Sequence, residues 1–256
     1  MQIPTKYIDP LDENLIVKSV RIQDFEAAHQ DIEHMSAENV KTFSEGLIGT
    51  FEEYTKFRKS HQKATSQELR RYTYTISKIV IKCPTAAVTP IKGTTAFHKA
   101  VEIGSGNTLK FLFTTLSQVN PTCKPANLSN NFGQTPLHLA LNDEILVETL
   151  LKYNADPNKT DHNGKSVLHQ AIEDFFVGKT NLSIIQMLLK NGAHPENRIK
   201  NTKNAIELAQ GLKVKECINQ NGAYYNQPEI KKLADNLLKM LKEHTPETNK
   251  RIRVNA

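Results

Sequence analysis

A short pattern occurs three times in this chain and limits the folds that the chain can adopt. It reads GTTAFHKA at residues 93–100, GQTPLHLA at 133–140 and GKSVLHQA at 164–171. Each copy places Thr or Ser two residues after the glycine, and each ends in alanine. The histidine of the pattern is His98, His138 or His169, so the copies are 40 and 31 residues apart. Spacings in this range indicate a repeat architecture, in which each unit buries its apolar face against its neighbours.

Each copy continues in the same way. An apolar stretch with helical spacing follows, first TLKFLF, then ILVETLLKYNADPN, then IIQMLLKNGAHPEN. The two later stretches run through Ala-x-Pro into a polar turn. A degenerate fourth copy, NAIELA at 204–209, comes 38 residues after the third, judged by its last alanine. The sequence therefore predicts about four units of two short helices each.

This unit resembles the ankyrin repeat, which combines a turn and two antiparallel helices in about 33 residues and carries a Thr-Pro-Leu-His signature. The resemblance covers residues 93–211. It implies an all-α repeat solenoid with an N-terminal helical region at 1–85, C-terminal capping helices at 212–245 and a flexible tail at 246–256. The chain departs from the pattern in a long turn at 114–132 and a long helix connection at 174–181.

The recurring histidines raise the question of a metal site. Equivalent positions of stacked repeats lie roughly 10 Å apart, whereas metal ligands must lie about 2 Å from one ion. The repetition therefore explains the histidines better than a shared metal does. In ankyrin folds this histidine joins the turn of one repeat to its neighbour by hydrogen bonds, and the resemblance implies that role here.

Two amphipathic helices are predicted before the repeats. With Ser36 as N-cap, apolar residues from Val40 to Phe57 follow three- and four-residue steps, which predicts a helix of about 20 residues. A second helix begins at the capping-box pattern TSQE, residues 65–68. The first forty residues show no readable period. Residues 83–92 contain two prolines and are interpreted as a linker.

Composition and motifs exclude several classes of protein. The longest apolar runs are too short to span a membrane, and the first residues lack the features of a signal peptide. The three cysteines lie far apart, which fits a reducing compartment. Phosphate-loop, zinc-finger and hydrolase motifs are missing. Cys83 with His29, His34 or His61 is the one combination of nucleophile and base to consider. We therefore predict a cytoplasmic protein with no enzymatic activity, no cofactor and no metal.

The net charge of +6 is concentrated near the end of the chain, where residues 190–256 carry 13 Lys/Arg and 7 Asp/Glu. This segment, or the basic run from Lys56 to Arg71, could meet nucleic-acid phosphates. Neither stretch carries interleaved aromatic residues or a known reading motif. Nucleic-acid binding is therefore the less favoured interpretation.

Ankyrin proteins usually bind partners through the fingertips and the first helix of each repeat, and the resemblance carries that surface over by position. The predicted partner-binding residues on the fingers are Phe132, Gln134, His162, Asn163 and Lys165. Those on the inner helices are Glu102, Ile103, Asn142, Asp143, Glu173 and Asp174. The helical positions include four carboxylates and no base, which predicts a partner segment bearing Lys or Arg. The alternative is an ordinary solvated helix face.

The predicted function is non-catalytic binding of a partner protein. The alternative is an enzymatic or adaptor domain at the N-terminus, which the repeats bring to its substrate. The N-terminal region, the Lys/Asn/Ile-rich composition and the short irregular array also resemble ankyrin effectors that intracellular bacteria secrete into host cells. That resemblance implies the cytoplasm of a host cell as the site of action, and an ordinary cytosolic adaptor is the other interpretation.

Overall fold

The computed structural model describes residues 14–61, 66–198, 203–212 and 227–245. Within these ranges the regular structure is helical, and extended pairing is limited to three isolated antiparallel bridges in the turns. The helices are α1 (Leu15–Arg21), α2 (Phe25–His34), α3 (Val40–Ser60), α4 (Ser66–Lys82), α5 (Ala96–Glu102), α6 (Gly106–Val119), α7 (Pro136–Leu139), α8 (Glu144–Lys152), α9 (Val167–Phe176), α10 (Leu182–Lys190), α11 (Ala205–Leu212) and α12 (Gln227–Glu243). The all-α prediction is confirmed. The predicted tail at 246–256 lies outside the described residues, and none of the described helices is long and apolar enough to cross a membrane.

The chain divides into two compact units. The first unit holds the residues up to Ile103 together with Lys110–Cys123, and the second holds Gly104–Leu109 and the residues from Lys124 onward. The division therefore falls within the first predicted repeat and not at residues 83–92. The linker interpretation of 83–92 is wrong, because a 3₁₀ turn at Pro84–Ala87 buries its two alanines against α3 and α4.

Helix pairs packed in series build the first unit. Helix α1 packs on α2 and α3, α2 packs on α4, and α3 packs on both α4 and α5. The ring of Tyr72 in α4 lies 5.0 Å from that of Phe25 in α2, and 5.6 Å and 5.4 Å from those of Tyr54 and Phe57 in α3. Such aromatic pairs contribute about 0.5–1.5 kcal/mol beyond the area that they bury. The apolar stripes predicted for α3 and α4 thus pack on α1 and α2. These two short helices were not predicted from the sequence.

The N-cap of helix α3 lies three residues after the predicted one. Asn39 occupies the N-cap position, and Ser36 instead accepts a hydrogen bond from the amide of Glu38 at 3.4 Å. Short polar side chains stabilise turns and helix starts by the same local hydrogen bonds. Ser36 therefore belongs to the turn before α3, which the apolar spacing alone could not distinguish from the helix start.

A close approach of α1 to α3 depends on two glycines of α3. A Cβ atom on Gly49 would lie 2.3 Å from Cγ2 of Val17, and one on Gly46 would lie 3.0 Å from Cδ1 of Ile16. Val17 is β-branched and has few alternative rotamers. Glycine lowers the helix propensity at both positions, but its missing side chain lets the two backbones approach each other.

Replacement of Gly49 by alanine should destabilise the first unit. Overpacking costs about 1–3 kcal/mol, which exceeds the gain of up to about 1 kcal/mol from better helix propensity. Thermal unfolding monitored by circular dichroism should show a lower melting temperature. Gly211→Ala is the matched control, because only the end of the Lys203 side chain lies near that site, and it should be neutral or stabilising. A stabilised Gly49→Ala chain would contradict the close-approach explanation.

The second unit contains the remaining helix pairs. Helix α7 packs on α8 and α9, and α9 packs on α10 and α11. Helix α9 runs on to Phe176, which is buried, so the paired phenylalanines at 175 and 176 extend the first helix of their repeat. Helix α12 covers α10 and α11 with the buried side chains of Leu237 and Leu241. Its lysines 232, 239 and 242 are exposed, as the outer face of a terminal helix requires.

The long turn predicted at 114–132 is mostly ordered structure. Helix α6 has 14 residues, whereas the corresponding second helices α8 and α10 have nine each. A second 3₁₀ turn follows at Pro125–Asn127, with Pro125 and Ala126 buried. The extra residues therefore lengthen a helix, and Phe132 lies at the tip of the finger and not at the base of an enlarged loop.

Candidate partner-binding surface

The first two predicted repeats start with the same hydrogen-bonded box, and in the third the hydroxyl of Ser166 lies 2.7 Å from Nδ1 of His169. Thr135 is the N-cap of α7, and its amide donates to Nδ1 of His138 at 3.1 Å while its side chain accepts from the amide of His138. Thr95 and His98 form the same box at the start of α5. Because Nδ1 accepts a backbone hydrogen bond, the network assigns the imidazole proton to Nε2.

The second ring nitrogen connects one repeat to the next. Nε2 of His138 lies 3.4 Å from the carbonyl oxygen of Lys165, the residue before the N-cap of α9. This is the linking role that the family resemblance implied. In the part of the chain that the structure describes, no three His, Cys, Asp or Glu side chains are grouped so that they could hold a metal.

The degenerate fourth copy keeps the box with a different side chain. The amide of Asn204 donates to the carboxylate of Glu207 at 3.1 Å, and the amide of Glu207 donates to Oδ1 of Asn204 at 2.8 Å. The first of these bonds lowers the pKa of Glu207. Arg198 also donates to both carboxylate oxygens, each at 3.1 Å. Glutamate therefore replaces histidine as the capping-box acceptor.

His138→Ala should destabilise the second unit by about 1–3 kcal/mol, because the buried amide of Thr135 loses its acceptor. Chemical denaturation of parent and variant measures the difference. His162→Ala is the matched control, since His162 is exposed and its side chain is outside the box. Equal unfolding midpoints for the His138→Ala chain and the parent would contradict the structural role.

His169 should make stability depend on pH. Burial lowers its pKa, although the backbone groups of Lys203 and Asn197 act in the opposite direction. Nε2 has no partner at hydrogen-bond distance among the described residues. Below about pH 6.5 the unfolded chain binds a proton that the folded chain resists, so the free energy of unfolding should fall as the pH drops from 7 to 5.

The measurement is denaturant unfolding of the parent and of His169→Gln at both pH values. The variant should lose less stability on acidification than the parent. It should keep some pH dependence, since burial and the charge of Lys78 also lower the pKa of His29. Identical pH dependence in the two chains would show that His169 does not contribute.

Two asparagines that sequence reasoning missed also join repeats. The side chain of Asn127 donates to the carbonyl of Asn154 at 3.0 Å and accepts from the amide of Asp156 at 2.7 Å. Asn158 makes the same pair of bonds to Gly192 at 2.7 Å and His194 at 2.9 Å. These asparagines are 31 residues apart, the spacing of His138 and His169, and that shared spacing was the signal that could have found them.

The fingertips are fixed by local hydrogen bonds. Oδ1 of Asn130 accepts from the amides two and four residues later, at 2.8 and 3.0 Å, and Oδ1 of Asp161 does the same at 2.8 and 2.9 Å. The amide of His162 donates to the carbonyl of Phe132 at 3.0 Å and so ties two neighbouring tips together. Gly133, at φ +77°, is needed because a Cβ there would lie 2.6 Å from the backbone nitrogen of His162.

The predicted binding residues differ widely in exposure. Phe132 is 71% exposed. His162, Asn163, Glu102 and Asn142 are also exposed, and the half-buried ones are Gln134, Lys165, Asp143, Glu173 and Asp174. Ile103 is only 4% exposed. Its assignment as a partner contact is wrong, because the chain turns inward where α5 ends at Glu102 and buries the next side chain.

Asp143 has a structural role that its predicted position on a first helix does not describe. Helix α7 ends at Leu139, so Asp143 is the N-cap of α8, where its carboxylate accepts from the amides of Ile145 and Leu146 at 2.9 and 3.2 Å. Loss of such a cap costs about 0.5–2 kcal/mol. A charge reversal at Asp143 would therefore affect folding as well as binding.

The predicted acidic strip is partly neutralised within the chain. Glu102 pairs with Lys99 at 2.9 Å, and Glu173 pairs with Lys165, itself one of the predicted finger residues, at 2.6 Å. Ion pairs at partly exposed positions contribute about 0–1 kcal/mol, so a partner could displace them. The surface therefore presents less unpaired negative charge than the sequence suggested.

Cys83 does not form a catalytic pair with His29, His34 or His61. Cys83 is buried, and its sulfur lies 3.5 Å from the hydroxyl of Thr85. His29 contacts the hydroxyl of Thr75, and His34 and His61 contact carbonyl oxygens of their own helices. Activation of a thiol needs a base within hydrogen-bond reach, and none of these three imidazoles contacts the Cys83 sulfur.

Two residues of the predicted basic run already pair with groups of the first unit. Lys56 pairs with Glu53 at 2.8 Å, and Arg58 donates to the carbonyl of Ile103 at 2.6 Å. Fewer of its charges are therefore available to nucleic-acid phosphates than the sequence suggested.

A family model described as ankyrin repeats in three copies matches residues 70–161 and 97–199, which together cover half of the chain. The chain belongs to the ankyrin-repeat family. The match begins inside α4, earlier than the predicted first repeat at Gly93. Residues before the first histidine-containing copy therefore also match the family model.

Two known proteins are similar in sequence to part of this chain. The chain is 33% identical over 152 residues to Neurogenic locus notch homolog protein 1 of Danio rerio, which covers 45% of this chain and 6% of that protein. It is 54% identical over 41 residues to NF-kappa-B inhibitor delta of Mus musculus, which covers 15% of this chain and 12% of that protein. This chain thus spans only a small part of either relative.

The crystal structure of the ankyrin repeat domain of Bcl-3, a member of the IkappaB protein family, superposes with a TM-score of 0.56 at 22% identity. The superposition covers 80% of this chain and 83% of that chain. This coverage exceeds residues 93–211, so the likeness in fold also includes residues outside the predicted array.

Proposed function

We propose that the chain binds a partner protein at the tips of neighbouring ankyrin fingers and does not act as an enzyme. Phe132 is the apolar anchor, and His162 and Asn163 are its polar neighbours. Gln134 and Lys165 lie at the bases of the same tips. Asn142, Glu173 and Asp174, in the same unit, form the outer, polar and charged part of the binding surface.

The observation that carries this proposal is an exposed phenylalanine on a rigid support. Phe132 is 71% exposed, yet the hydrogen bonds of Asn130 and His162 fix the backbone on which it stands. Aromatic residues dominate the binding energy of many interfaces. A surface that is already ordered loses less conformational entropy on binding. Both arguments favour the fingertip over the partly neutralised acidic positions as the main source of affinity.

Phe132→Ala should strongly weaken capture of the natural partner. An aromatic hot spot contributes about 2 kcal/mol or more, or roughly a 30-fold change in affinity. The full-length chain is immobilised, and captured proteins are compared by quantitative mass spectrometry for the parent and each variant. Ile145→Ala is the matched control, since Ile145 is 64% exposed in the same unit but is not on a fingertip.

Proteins bound by the parent and by Ile145→Ala but lost with Phe132→Ala would identify the partner. If Phe132→Ala retains every specific partner, the fingertip proposal is wrong. Full-length variants are preferable to a fragment that starts at residue 93. Such a fragment would remove α3, on which α5 packs.

Two finer assignments belong to the same proposal. A basic partner segment is supported by Glu173 and the half-buried Asp174, and Glu173→Lys with Asp174→Lys would test it without removal of the α8 cap. Action as a bacterial effector in a host cell rests on resemblance in composition and architecture alone. Delivery of a tagged chain into host cells by a secretion-competent bacterium is the experiment that decides it.

A further inference from the structure

Helices α2 and α4 lie side by side in the first unit, with acidic residues on α2 and basic residues on α4. At the C-terminal end of α2 they are joined, because Lys78 donates to the carboxylate of Glu33 at 3.1 Å and Lys82 donates to its carbonyl at 3.2 Å. His29 and Thr75 are in contact nearer the middle of the pair, at 3.1 Å. These contacts close the surface between the helices at that end.

At the other end the helices leave an open groove of about 750 Å³. Asp24 and Glu26 line it from α2 and its N-cap, and Arg70 and Arg71 line it from α4. None of these four charges pairs with an oppositely charged side chain among the described residues. Tyr74, 53% exposed, also lines the groove. The groove therefore combines one acidic wall, one basic wall and an exposed aromatic ring.

We propose that this groove is the contact face of a weak, two-fold symmetric dimer of the chain. In a two-fold contact the same patch is used on both copies, so a residue that meets its counterpart is met by that counterpart in return. The basic wall of one copy would face the acidic wall of the second, and the complementary contact would form twice. A partner of one charge sign would be attracted to one wall and repelled by the other, which favours a second copy.

The contact is expected to be weak and sensitive to salt. Its charges are exposed, and such charges mainly set association rate and salt dependence. Tyr74, with Ile22 at 68% exposure beside the groove residue Gln23, supplies the apolar contact. The groove contains none of the predicted partner-binding residues, so failure of the dimer would leave the fingertip proposal untouched.

Analytical ultracentrifugation of the full chain tests the dimer over a concentration series into the high-micromolar range. The average mass should rise with concentration at about 0.1 M salt, where the screening length is about 10 Å, and much less at about 1 M salt, where it is about 3 Å. Arg70→Glu with Arg71→Glu should weaken dimerisation at least about tenfold. Lys59→Glu with Lys110→Glu is the matched control, because it makes the same charge change at exposed positions of the first unit and should leave the dimer unchanged.

A mixing experiment separates specific pairing from general charge effects. Glu26→Arg reverses the acidic wall and leaves Asp24, which caps α2 through the amide of Ala27 at 3.0 Å, in place. Neither the Glu26→Arg chain nor the Arg70→Glu/Arg71→Glu chain should dimerise well alone, but an equimolar mixture should associate. Circular dichroism checks that each variant is folded, and Arg70→Gln with Arg71→Gln replaces the double reversal if that chain unfolds.

Three results would overturn the proposal. One is a parent chain that stays monomeric at the highest concentration in low salt. Another is an equal loss of dimer in the Lys59/Lys110 control, and the third is a mixture of the two reversed chains that remains monomeric.

Discussion

The repeats depend on a hydrogen bond between a helix-capping residue and the side chain three positions later. The first amides of any helix have no partner inside the helix, and here the histidine or glutamate of the box accepts one of them. For His138 this bond also decides which ring nitrogen carries the proton, and it aims Nε2 at the following repeat. One side chain therefore stabilises its own helix and positions the next one.

Asparagine side chains provide a second connection from turn to turn. Asn127 and Asn158 each satisfy one carbonyl and one amide of the following turn, groups that would otherwise need water. Together with the hydrogen bond between neighbouring fingertips, they leave the finger edge of the second unit little freedom to rearrange. A rigid edge suits recognition of a preformed partner surface better than the folding of a disordered segment around it.

The sequence predicted the repeats well because their spacing, caps and apolar stripes are local properties. It did not predict α1 and α2, since helices of seven and ten residues are stabilised by packing more than by their own pattern. The candidate site was predicted only in part. Phe132, His162 and Asn163 are exposed as expected, because the fingertip is a local turn. Asp143 was misplaced because transfer by position assumed first helices of equal length, whereas α7 has only four residues. Ile103 was misplaced because α5 ends at Glu102 and the next side chain is buried.

The substitution at position 207 has a consequence for where the array can end. Histidine has two ring nitrogens, one for the cap and one to reach the next repeat, whereas the carboxylate of Glu207 is held by the Asn204 amide and by Arg198 of its own turn. A carboxylate also has no proton to donate to a following carbonyl. Among the described residues, Nε2 of His169 already has no partner, and Glu207 has no proton with which to make the link that His138 makes to Lys165. A further repeat after the fourth copy would gain such a link only if a residue with a side-chain proton donor, such as histidine, replaced Glu207.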